Sequence, residues 1–154
     1  MVVNTDTRAA DHFGLTLWRR RRRGSRLART GAAAVEFAIV APIFFMLIIG
    51  MIEVGRAIMV QQVLINASRA GARRATMLSS TSTEVLSTVA EYTAGVGVPT
   101  VTTTVSPDPA TAEAGTPITV NTAVNFANVS WLPAPWFMGG KVLSSSSVMR
   151  KEGF

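Results

Sequence analysis

Ala32–Ile52, AAAVEFAIVAPIFFMLIIGMI, is an unbroken apolar run whose one charge is Glu36. As a helix rising ~1.5 Å per residue it extends about 31 Å, which matches a hydrocarbon core of roughly 30 Å. Pro42 and Gly50 would weaken a helix in water, but membrane helices tolerate both because neighbouring groups re-satisfy the freed backbone. The run reads as a membrane span.

The charge distribution orients it. Upstream of Ala32 stand eight arginines against Asp6 and Asp11, and downstream stand seven cations against seven anions. The whole formal excess of +6 therefore lies in the leader, concentrated in WRRRRRGSRLART, Trp18–Thr30. Such a block stays solvated or lies on anionic lipid. By the positive-inside rule it places the N-terminus in the cytoplasm and the C-terminal part outside. A nucleic-acid-binding domain would carry its basic surface on the folded part, and here that part is formally neutral.

The inventory of reactive groups is short. There is no cysteine, and the single histidine, His12, lies in the leader. Disulfides, thiolate metal sites, multi-histidine zinc sites and His-assisted nucleophilic catalysis are excluded downstream. No catalytic residue, metal ligand, cofactor site or small-molecule substrate is expected.

Helical character continues past Ile52 through Glu53–Met77. Met59, Val63, Ala67 and Ala70 form one stripe with Val60 and Leu64 beside it, and Gln61, Gln62, Arg69 and Arg73 lie around the other side. Glu53 and Arg56, spaced i, i+3, read first as an ordinary interfacial ion pair and second as an inter-subunit contact. Thr81-Ser82-Thr83-Glu84 fits a capping box and opens a second helix over roughly Ser82–Ala94, with Val85, Leu86, Val89 and Tyr92 on its apolar face. GVGVP stops it. TVTTTV, the alternating ITVNTAVNF and KVLSSSSVMR read as three strands, separated by a turn-rich loop and the connection WLPAPWFMGG. Trp131, Trp136 and Phe137 read as core or interface filler. The expected fold is α+β: a long N-terminal helix, membrane-spanning in its first half and amphipathic in its second, plus a small domain with one helix and an antiparallel sheet of about three strands. The expected divisions are a leader at 1–31, a transmembrane helix at 32–56, its amphipathic continuation at 57–78 and an extracytoplasmic domain at 79–154.

Glu36 needs a reason. A carboxylate near the end of a span can reach the interface, and the helix dipole favours it in a first turn. A sharper reading begins with a cut between Gly31 and Ala32. The new α-amino group of Ala32 would lie four residues before Glu36, on the same helix face. The two charges could compensate each other within one molecule or between neighbouring helices.

The segment RTGAAAVEFAIVAPIFFMLIIGMIEVGRAI resembles the start of the TadE-like pseudopilins of the tight-adherence (Flp pilus) system. The resemblance rests on Gly31, Glu36-Phe37, Pro42, Gly50 through Glu53, Gly55 and Arg56, and ASRAGARRA at Ala67–Ala75. It is close over about residues 18–78 and loose over 116–152. It implies a precursor in the bacterial cytoplasmic membrane, cut by a prepilin peptidase after Gly31. The product is then a minor subunit that works with other pilins and the assembly platform in building an adhesive pilus. Phe37, Pro42, Glu53 and Arg56 are the helix positions it marks as interface candidates. Two other readings stand beside it. One is export on a twin-arginine-like signal, against which the apolar run is too long. The other is a single-pass protein that keeps its basic tail.

Overall fold

The computed structural model describes residues 24–153. The elements run α1 (Gly24–Ala75), α2 (Ser82–Gly95), β1 (Thr102–Ser106), β2 (Pro117–Asn125), a 3-10 turn (Phe126–Asn128) and β3 (Val142–Arg150). This is the expected α+β architecture of a long helix and a small domain with one helix and three antiparallel strands. The arginine run Arg19–Arg23 and His12 lie outside the described residues. The chain forms two compact units that divide within α1, one ending at Val40 and the other beginning at Ala41.

In the first unit, residues 32–40 are helical and every one is exposed. In the second, α1 continues through Pro42 to Ala75, with Arg73 and Arg74 in its last turn, where cations complement the helix dipole. Its packed seam differs from the expected stripe. Ala57, Val60, Leu64, Ala67, Ala72 and Ala75 are buried, whereas Met59 is substantially exposed. The seam turns toward the small residues because Gly71 brings the helix close to its neighbours. A Cβ at Gly71 would stand 2.7 Å from Val89 Cγ2 on α2 and 3.2 Å from Val120 Cγ1 on β2. Only a glycine, or a shift of packed side chains, permits that approach.

Both ends of α2 are set locally. Thr81 Oγ1 accepts from the Glu84 amide, and Glu84 Oε2 accepts from the Thr81 amide, each at 3.3 Å. At the other end, the Val98 amide donates to Thr93 O and the Gly97 amide to Ala94 O, with Gly97 at φ +73°. This is a Schellman stop. Val85, Val89 and Thr93 are the buried positions of α2. Leu86 and Tyr92, expected on that face, are exposed.

The sheet order is β1-β2-β3, with Val105 opposite Val120 and Val120 opposite Ser147. Alternation along β2 buries Ile118, Val120, Thr122 and Val124. Phe126 leaves the strand for the 3-10 turn but stays fully buried. Two clusters result. One holds Val60, Leu64, Val98, Val124 and Phe126, and the other Ala67, Ala75, Val85, Val89, Ile118 and Val120. Thr122 fits among apolar neighbours because its hydroxyl donates to Leu64 O at 3.3 Å. Behind the second cluster the buried Lys151 ammonium donates to Met77 O (2.7 Å), Pro109 O (2.9 Å) and Leu78 O (3.3 Å).

Candidate membrane and assembly site

Two things distinguish the site: an apolar helix face left largely exposed among the described residues, and a polar clamp at its end. Gly31, Ala32, Glu36 and Phe37 lie on α1 in the first unit, all exposed, and Phe37 is 70% exposed. In the second unit Pro42 is inside the helix and exposed, and Ile43, Phe44, Phe45, Leu47 and Met51 all present large apolar side chains outward. From Gly31 the helix is long and apolar enough to cross a membrane, and none of its most apolar window is buried.

The character changes at Glu53, directly after Ile52. Glu53 is fully buried and Arg56 nearly so, although both carry charge. Each is satisfied by backbone from the distant domain. Glu53 Oε1 accepts from the Trp136 amide at 2.6 Å, and Oε2 accepts from the amides of Phe137 at 2.9 Å and Met138 at 3.0 Å. A carboxylate holding three N–H groups is well compensated without a cation. Arg56 Nε donates to Val129 O at 2.8 Å and Nη2 to Gly97 O at 3.3 Å. Its guanidinium lies 4.7 Å over the Trp131 ring, a cation–π arrangement. The expected Glu53–Arg56 ion pair does not form, and the only ion pair among the described residues joins Arg74 to Glu84 at 2.9 Å.

The clamp shapes the loop after the 3-10 turn. Pro133 and Pro135 bring no amide donor, and the Leu132 amide is taken by Ser130 Oγ at 3.1 Å. With three further amides on Glu53, the loop backbone is largely satisfied while its rings stay outside. Trp131, Trp136 and Phe137 are 66%, 64% and 52% exposed, so they are not core filler. No local signal gave this away, since the partner of Trp136 lies 83 positions back along the chain.

Among the described residues one helix, near the N-terminus, is long and apolar enough to cross a membrane, which fits a membrane protein with a single spanning segment. Residues 31–73 match the family model of the TadE-like protein, so the resemblance carried by Gly31, Glu36, Pro42 and the Gly50–Arg56 segment is a family match over that stretch of α1. No curated protein and no solved structure matches the chain. The match over that stretch, together with the apolar helix, fits a membrane-anchored, pilus-associated subunit.

Proposed function

We propose that the chain is a minor pseudopilin of the TadE-like family, made as a precursor and cut between Gly31 and Ala32 by a prepilin peptidase at the cytoplasmic face. From Ala32 onward the sequence carries equal numbers of cationic and anionic side chains. The mature subunit keeps its N-terminus at the cytoplasmic side and its domain outside, and it assists assembly of an adhesive pilus with other pilins and the platform. No catalytic step is assigned to it.

The carrying observation is the exposed stretch of α1 from Gly31 onward, with Glu36 exposed within it, inside the segment that matches the family model. An uncovered helix face suits packing beside other helices in a bilayer. There a carboxylate is best kept where a partner cation meets it, and the new amine of Ala32 supplies one, on the same helix or on a neighbour's. Phe37 and Pro42 lie on the same exposed segment and belong to that packing surface.

N-terminal sequencing of the protein from its native membrane tests the reading. A start at Ala32 is expected, with loss of the arginine block, and Gly31→Leu should leave the precursor uncut. An intact leader would support a single-pass protein with a retained tail. A soluble product starting beyond the apolar run would support export on a cleavable signal. Either sinks the proposal.

A further inference from the structure

We propose that the Trp131–Phe137 loop lies in the lipid–water interface of the membrane that α1 enters, where its rings contact phospholipid and set the depth of the helix. The inference rests on the membrane-anchored reading of α1.

The first argument is position. The loop is fastened at the end of the apolar run, because Glu53, the next residue after Ile52, holds the amides of Trp136, Phe137 and Met138. The Phe137 ring closes on the helix one turn earlier, its Cε2 lying 3.4 Å from where a Gly50 Cβ would stand. A groove lined by Ile43, Met46, Leu47, Gly50, Val54 and Phe137 runs along this junction, walled almost wholly by apolar atoms and open to one side.

The second argument is the polar accounting of the loop. Ser130–Gly140 contains no charged residue, and Lys141 follows directly. Backbone amides facing lipid must be paired inside the protein, because no water is there to take them. Two prolines, a serine hydroxyl and a buried carboxylate remove most of the donors between Leu132 and Met138. Arg56, nearly buried and bonded to Val129 O and Gly97 O, stacks on Trp131 and holds that ring at the end of the apolar run.

The third argument is ring chemistry. Tryptophan gathers at membrane interfaces, where an apolar body and an N–H donor are both accommodated. Three exposed aromatic rings on one loop at the end of a span fit that environment, and a phospholipid surface is the occupant continuous with the span itself.

The test uses the full chain reconstituted in phosphatidylcholine/phosphatidylglycerol vesicles. Flotation first reports anchoring. With three tryptophans in the chain, Trp18→Phe with Trp131→Phe leaves Trp136 as the single emitter, and Trp18→Phe with Trp136→Phe leaves Trp131. Far-UV circular dichroism checks that both variants keep their helix. An interfacial ring sits roughly 5–10 Å into the headgroup/acyl boundary, so lipids brominated near the carbonyl end should cause a roughly twofold loss of emission. Aqueous iodide should cause little. If the protein floats but its emission responds to iodide and not to brominated lipid, the loop is in water and the proposal is overturned while anchoring stands. If it floats and neither quencher acts, another protein or a second copy covers the rings, which also overturns it. Protein that fails to float removes the anchoring and the loop placement together.

Discussion

The Glu53 carboxylate takes the amide hydrogen of Trp136 at 2.6 Å, across 83 positions of sequence. It joins the last turn of the apolar segment to the loop before β3. Glu53→Ala leaves three amides without an acceptor, and each unpaired buried donor costs about 1–3 kcal/mol. The expected result is faster hydrogen exchange at Trp136, Phe137 and Met138, read by mass spectrometry in detergent, with α2 protected as before. Glu113→Ala, at an exposed position of the β1–β2 loop, should leave those amides unchanged.

Gly71 and Gly55 lie on one helix and should respond to alanine in opposite directions. Gly71→Ala drives a methyl to 2.7 Å from Val89 Cγ2, on a stiff β-branched side chain. Overpacking of this kind costs about 1–3 kcal/mol, against a gain in helix propensity of about 1 kcal/mol. A net loss is expected. Gly55 has nothing within 4 Å of its Cβ position, so Gly55→Ala retains the propensity gain. Thermal unfolding of both variants in one detergent checks the pair of signs.

Lys151 ties two loop segments together through its ammonium group, bonding the adjacent carbonyls of Met77 and Leu78 after α1 and the carbonyl of Pro109 between β1 and β2. Lys151→Met keeps the length of the side chain and removes all three donors. Hydrogen bonds to charged groups contribute about 1.5–3 kcal/mol each and do not add fully, so the domain should lose about 3 kcal/mol. Denaturant unfolding of the detergent-solubilised chain measures it, and a change below about 0.5 kcal/mol, the range of ordinary surface substitutions, would contradict the role assigned to the ammonium.

Asp108 supplies the pH dependence. Hydrogen bonds from the Ala110 amide (3.1 Å) and the Ser82 hydroxyl (2.8 Å) hold its carboxyl below the usual range. A carboxyl depressed in the folded state contributes stability that is fully present above its unfolded value of about 3.9 and is lost as pH falls through the folded value. Stability of the wild type should decline on acidification below about pH 4. Asp108→Asn should show a shallower decline over the same interval, followed by chemical denaturation at stepped pH. Equal slopes would remove Asp108 from the acid response.

Several features were legible because they are local. The apolar run of Ala32–Ile52, the Thr81–Glu84 capping box, the stop at Gly97 and the alternation along β2 each depend on residues within a few positions of one another. The helix seam was only partly legible. Periodicity finds a stripe but cannot choose between two adjacent ones: Ala67 of the expected stripe is buried, but so are Val60 and Leu64 from beside it, while Met59 is exposed. Leu86 and Tyr92 were lost to exposure for a related reason: Thr93, through its placement against the core, takes the third buried position of α2.

By itself, then, the sequence determined a membrane-length apolar helix, a neutral region downstream of a basic N-terminal stretch and a small α+β domain, since hydrophobic length, charge count and period are properties of the chain alone. Tertiary structure decided what the charges and rings do. At three residues apart, Glu53 and Arg56 are neighbours on a helix and invite pairing, yet the folded domain offers each a set of backbone partners that satisfies it better. Only the folded domain could bring the amides of Trp136, Phe137 and Met138 to that carboxylate and leave the Trp136 and Phe137 rings exposed, because the contact spans more than eighty residues and no local pattern encodes it.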